Sequence, residues 1–131
     1  MADALQALAG EKYISLETYK KDGSPVRTPV WFVPIDGQLL ITTGGDSFKV
    51  KRLGRNPKAR IAACDMRGTV HGAWWEATAE VLAEGDLAER ARAAIQKKYG
   101  FMSSLNLLVS RLRGRLAQRR VIVVRPGAPA A

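Results

Sequence analysis

The densest chemistry in the chain lies in Thr42-Thr43-Gly44-Gly45-Asp46-Ser47-Phe48-Lys49-Val50-Lys51-Arg52-Leu53. Hydroxyl-bearing residues end a β-like run, a glycine pair breaks it, and a cationic helix begins with Asp46 or Ser47 as its cap. The first turn of a helix carries partial positive charge, so Lys49, Lys51 and Arg52 near that end oppose helix formation unless an anion docks there. Exposed amides, the hydroxyls of Thr42, Thr43 and Ser47, and the three cations together make a seat for a phosphate. A solvated basic helix with Val50 and Leu53 turned inward satisfies the same pattern, and charge spacing alone leaves both readings open.

Thr28-Pro29-Val30-Trp31-Phe32 sets aromatic and branched side chains on a stiff backbone, suited to walling a flat ring or to filling a core. Trp74 and Trp75 are adjacent on a strand and point to opposite faces, which leaves one of them for an interface or a ligand. Asp65-Met66-Arg67-Gly68-Thr69-Val70-His71-Gly72 is a loop able to reach a neighbouring ligand through Arg67 and Gly68. His71 there is either a general acid or an ordinary surface histidine. Cys64 reads as a small buried hydrophobe, and one cysteine with one histidine cannot make a zinc centre. The sequence contains no Gly-x-Ser-x-Gly elbow, Walker loop or Gly-x-Gly-x-x-Gly fingerprint. No catalytic residue is therefore assigned, and an enzyme built this way takes its chemistry from a cofactor.

The elements that must position these residues follow from period-2 runs and turn signals. A short helix over Ala2 to Leu8 precedes strands over Tyr13 to Tyr19, Val26 to Pro34 and Leu39 to Thr43, joined at Asp22-Gly23 and Asp36-Gly37. The basic helix runs to about Asn56, where Asn56-Pro57 stops it. Strands over Lys58 to Asp65 and Trp74 to Ala83 follow, then a helix from Gly85-Asp86 to about Tyr99-Gly100, an amphipathic Leu105 to Leu116 segment rich in arginine, and a strand over Val121 to Val124. From Pro126 onward the chain reads as a fraying tail. Six strands with inserted helices predict a mainly β fold, a barrel-like antiparallel sheet. Such a barrel is too small to enclose a sizeable ligand, so a cofactor would lie outside it or between subunits.

The 131 residues, 47% of them hydrophobic, fit a single domain over 1–131. A net charge of +9, from 21 Lys and Arg against 12 Asp and Glu, favours an anionic partner such as a phosphorylated cofactor, a nucleic acid or a membrane surface. No nucleic-acid module is recognisable, so no nucleic-acid partner is expected. The Leu105 to Leu116 segment packs on the barrel or associates weakly with membranes; no run is long enough to insert stably. Without a signal peptide pattern, a soluble cytoplasmic protein is expected.

The ordered succession Tyr13-Ile14-Ser15-Leu16-Glu17-Thr18, Lys21-Asp22-Gly23-Ser24-Pro25-Val26, Thr28-Pro29-Val30-Trp31-Phe32, Lys49-Val50-Lys51-Arg52-Leu53 with Asn56-Pro57, and Cys64-Asp65-Met66-Arg67-Gly68 resembles the deazaflavin (coenzyme F420)-dependent branch of the pyridoxamine-phosphate-oxidase-like family. The resemblance covers about Tyr13 to Leu82. It implies a six-stranded antiparallel split β-barrel of the FMN-binding type, a homodimer with its cofactor at the subunit interface. By position, Ser47, Lys49, Lys51 and Arg52 would hold the phosphate and Thr28, Pro29, Val30 and Trp31 would border the ring. Thr42, Thr43, Val50, Arg67 and Gly68 complete the implied cofactor-binding set. The implied reaction is hydride transfer between F420 and an activated unsaturated small molecule. FMN in place of F420, or a non-enzymatic flavin- or deazaflavin-binding protein, are the alternatives on the same fold.

Overall fold

The computed structural model describes residues 4–43, 48–100 and 120–130. Helix α1 (Ala4–Leu8) leads into β1 (Tyr13–Tyr19), β2 (Pro25–Val30), β3 (Phe32–Ile35) and β4 (Gln38–Thr43). Helix α2 (Phe48–Arg55) is followed by β5 (Lys58–Cys64) and β6 (Trp75–Leu82), then by α3 (Asp86–Gly100) and β7 (Arg120–Pro129). The amphipathic segment expected over Leu105 to Leu116 lies outside the described residues, as do Gly44, Gly45, Asp46 and Ser47.

Both expected hairpins form. Asp36 and Gly37 take φ of 53° and 80°, the two left-handed residues whose twist matches flanking antiparallel strands. At the β1–β2 turn, the Asp22 carboxylate accepts bonds from the Ser24 amide at 2.9 Å and its hydroxyl at 2.6 Å, while Gly23 takes φ of 87°.

All seven strands join one antiparallel sheet in the order β2-β1-β5-β6-β7-β4-β3. The expected count of six is corrected to seven because the Val26 to Pro34 run breaks at Trp31. On one side of the break Val30 pairs with Ile14 of β1; on the other Phe32 pairs with Ile41 of β4. The two edge strands are thus consecutive in the chain with one residue between them, and the sheet must curl until its edges meet. A second correction concerns the C-terminal end. β7 extends to Pro129, with Ala77 opposite Pro126 and Trp75 opposite Pro129 across a register shift. The Ala130 amide then donates to the Trp74 carbonyl at 3.0 Å, so pairing with β6 holds a stretch whose composition suggested fraying.

Alternation along the strands divides the core in two. Ile14, Leu16, Phe32, Leu39, Ile41 and Ile61 fill the barrel interior, joined by Leu53 from α2. On the outer face Val33, Leu40, Val121 and Val123 pack against Ala88, Ala91, Ile95 and Tyr99 of α3. Trp75, Ala77, Ala79 and Val81 share the inward face of β6, as its period predicts.

Tyr99 ties α3 to the break. Its hydroxyl accepts from the Phe32 amide at 3.0 Å and donates to the Lys12 carbonyl at 2.6 Å. Replacing Tyr99 by Phe takes this partner from the Lys12 carbonyl and orphans the buried Phe32 amide, where a buried orphan costs about 1–3 kcal/mol. Urea unfolding of Tyr99→Phe is expected to show a lower midpoint by that order with an unchanged m-value; an unchanged midpoint would remove Tyr99 from this role.

Candidate functional site

The seam between β2 and β3 opens into a cleft of about 200 Å³ lined by Tyr13, Pro29, Val30, Trp31, Thr42 and Lys49. Five of those six were expected from the sequence. They converge because β1 and β2 bring Tyr13 and Pro29 to the seam, β4 ends there with Thr42, and α2 starts beside it with Lys49.

Trp31 is held as a fixed wall. Its indole lies nearly parallel to the Tyr99 ring, with centroids 4.6 Å apart and planes 8° apart. Lys98 Nζ donates to the Phe32 carbonyl at 2.9 Å and sits 3.7 Å from the centroid of the Phe32 ring, fixing the next residue as well. Burial pushes the Tyr99 hydroxyl up to about 12, so it stays protonated as a clamp.

The loop after β5 approaches the same place. Gly68 has φ of 91°, and a Cβ there would lie 3.6 Å from Pro29 Cδ, in ordinary contact. Asp65 shapes the loop by accepting from the amides of Thr69 at 2.9 Å and Arg67 at 2.8 Å, bonds that hold its carboxyl below the usual range. Arg67 is exposed on this loop.

The other expected residues are placed differently. Lys51 and Arg52 line a separate cleft of about 520 Å³ with Lys20, Val26 and Arg55, and Arg52 Nε donates to Thr18 Oγ1 at 2.7 Å. Val50 is half-buried on α2. Thr43 is buried, and as the neighbour of Thr42 on β4 it points to the opposite face. Thr28 Oγ1 is buried without a hydrogen-bond partner among the described residues. Ser47 lies outside the described residues.

On the outer face, Glu17 has a side chain only 3% exposed and accepts from Tyr19 Oη at 2.6 Å and Arg27 Nε at 2.7 Å. Burial pushes its carboxyl up, but the bonds from Tyr19 and Arg27 outweigh that and the net displacement is downward. Arg27 also lies 4.7 Å above the Trp74 ring, which accounts for the tryptophan that could not face inward. His71 Nε2 is bonded to Glu11 rather than directed at the cleft residues. Burial raises the Cys64 thiol to about 11, in keeping with a packing role. Tyr13, Tyr99 and Glu17 escaped the sequence reading: Tyr99 acts through Phe32, far along the chain, whereas Glu17 meets Tyr19 and Arg27 across the β1–β2 hairpin.

A curled antiparallel sheet with an aromatic, cation-edged cleft at its seam defines a mostly-β class. The sequence matches the pyridoxamine 5′-phosphate oxidase family model over residues 1–128, and the chain belongs to that family. No curated protein matches the sequence. Among solved structures, the chain is similar to a conserved hypothetical protein from Mycobacterium tuberculosis at 21% identity and a TM-score of 0.71, covering 98% of this chain and 85% of that one. It is also similar to an F420 reductase at 21% identity and a TM-score of 0.67, covering 99% and 98%. The heme storage protein HutZ from Vibrio cholerae aligns at 15% identity with a TM-score of 0.69, covering 92% and 87%. These likenesses share the fold. No helix of the described residues is long and apolar enough to cross a membrane.

Glu17 sets a pH dependence. With its folded-state pKa below the ordinary 4.5, it contributes stability that is present above that value and lost as pH falls through the lower folded-state value. Glu17→Gln is expected to lower stability at neutral pH by about 1–3 kcal/mol and to flatten the acid limb below the ordinary glutamate value. An acid limb as steep as that of the parent, followed by denaturant unfolding across pH, would contradict the assignment.

Proposed function

We propose that this chain is an F420-dependent reductase, moving a hydride between the deazaflavin ring and an activated unsaturated small molecule such as an electron-poor alkene, imine or quinone-like compound. The observation that carries the reading is the seam cleft, where the wall of Trp31 and Pro29 ends at Thr42 and Lys49. That lining fits a flat heterocycle bearing an anionic chain: an apolar face for the ring, and a cation for the phosphate. The similarity to an F420 reductase over nearly the full length of both chains supports the choice of cofactor, as does the cationic surplus on α2.

The deazaflavin, when bound, supplies the hydride chemistry. The protein's own residues bind and orient. Trp31, immobilised on Tyr99, presents a face that needs no rearrangement before a ring lies against it. Pro29, with its ring-fixed backbone, gives the cleft a second stiff wall beside the Gly68 turn. Lys49 neutralises the anionic end, and the apolar walls thin the water around the reacting face.

The cleft is open on one side, and the reading includes a homodimer in which a second copy covers it. Sedimentation is expected to give about twice the 14.3 kDa chain mass; a monomer at micromolar concentration and above would remove the dimer from the proposal. Titration with F420 and with FMN in parallel, followed by ring fluorescence, is expected to show preference for F420, with preference for FMN favouring the flavin alternative. Lys49→Ala should weaken F420 binding by about 1.5–3 kcal/mol, the order of a charge-assisted contact, and Trp31→Ala by at least about 0.5–1.5 kcal/mol, the order of a stacked ring. Parent-like affinity in both variants would overturn the site. Turnover of electron-poor alkenes with reduced F420 separates a reductase from a protein that only holds the cofactor.

A further inference from the structure

Helix α2 divides its cations between two faces. At 100° per residue, Lys49 stands roughly 200° from Lys51, while Lys51, Arg52 and Arg55 fall within an arc of roughly 100°. The structure agrees: Lys49 lines the seam cleft, and the other three line the cleft of about 520 Å³ across the helix, joined by Lys20 from the β1–β2 turn and floored by Val26. Among the described residues, no carboxylate lines this second cleft. Asp22, near Lys20, has its carboxylate committed to the amide and hydroxyl of Ser24.

Such crowding works against the fold. Like charges at i, i+3 and i, i+4, here Arg52 with Arg55 and Lys51 with Arg55, destabilise a helix by about 0.2–0.5 kcal/mol per pair. Burial and the nearby Arg55 lower the Arg52 pKa, the sign of a cation placed where positive charge is already concentrated. Arg52 is also fixed in place, its Nε bonded to Thr18 Oγ1 at 2.7 Å, so part of its side-chain freedom is already lost before any ligand arrives.

We infer that the cleft between α2 and the β1–β2 turn is a second anion site, separate from the seam cleft, built for an extended polyanion rather than a single phosphate. Lys51 and Arg55 stand one helical turn apart, and Lys20 approaches from the opposite wall, so the positive charge is spread along the cleft. A chain of linked phosphates or carboxylates meets several of these cations at once, whereas one small anion meets only part of the set. The same chemistry can come from a free polyanion or from an oligocarboxylate chain carried by a cofactor seated next door. The site itself does not require the seam cleft to be filled.

Calorimetric titration of the full chain with tripolyphosphate, set against orthophosphate, tests the inference. Tripolyphosphate is expected to bind at least tenfold more tightly, and Lys51→Gln/Arg55→Gln should weaken it at least tenfold. Arg90→Gln/Lys97→Gln removes the same number of charges from the exposed face of α3 and should change it less than threefold. Equal losses in the two double variants, or no preference over orthophosphate, would overturn the site. Repeating the comparison with F420 that carries its glutamate chain and F420 that lacks it identifies the source. A loss confined to the chain-bearing form assigns the cleft to the cofactor's tail, and parent-like binding of both forms assigns it to a free polyanion. Ring fluorescence reports seam occupancy independently, so failure here is distinguishable from failure of the F420 reading.

Discussion

One residue carries the chain from one edge of the sheet to the other. β2 and β3 occupy opposite ends of the strand order, yet only Trp31 separates them. A flat sheet of this order would place its edges several strand spacings of about 4.8 Å apart, far beyond the reach of a single residue. Curling is therefore obligatory, and the cleft is the place where the curl closes imperfectly. The backbone at the crossing keeps its polar groups satisfied through α3: the Phe32 amide goes to Tyr99, and the Phe32 carbonyl accepts from Lys98. The helix that covers the outer core thus also shapes the cleft.

This coupling explains why the cleft needs few polar side chains of its own. Its walls are backbone-determined, from a proline in β2 and an indole held by stacking, and both positions are fixed by the closure of the barrel. A rigid apolar wall suits a ligand that brings its own reactivity, because orientation is then the larger share of what a protein can add. The electrostatic work is delegated to α2, which docks Leu53 into the barrel interior and presents cations on its remaining surface.

Local features were legible in the sequence. Asp36-Gly37 and Asp22-Gly23 announce their hairpins because left-handed backbone at these positions is a property of the residues themselves. The inward face of β6 followed from simple alternation. Trp31 was not legible as a break, since Val30, Trp31 and Phe32 all favour strand and nothing local marks where one partner is exchanged for another. The end of β7 failed in the opposite sense: Pro126, Gly127 and Pro129 read as a tail, and only pairing with β6 holds them extended. Of the expected site, Pro29, Val30, Trp31, Thr42 and Lys49 do meet in one cleft. The separation of Lys49 from Lys51 and Arg52 was available from helical periodicity, but treating the cations as one motif concealed it.

That separation changes what the positive charge means. Had the cations of α2 converged on one point, a single phosphate would neutralise them and the remainder of the +9 would be solvated surface. The cations instead stand on two faces of one short helix of eight residues, with Leu53 left to anchor it. A helix so short gains little from propensity, so its stability rests on Leu53 packing into the barrel and on Arg52 reaching Thr18. On the two-site reading proposed above, anions on either face would relieve the repulsion and stabilise the same element. The two clefts would then be linked through α2: occupation of one would favour the helix that forms a wall of the other, in either order, by the reciprocity that binding free energies obey.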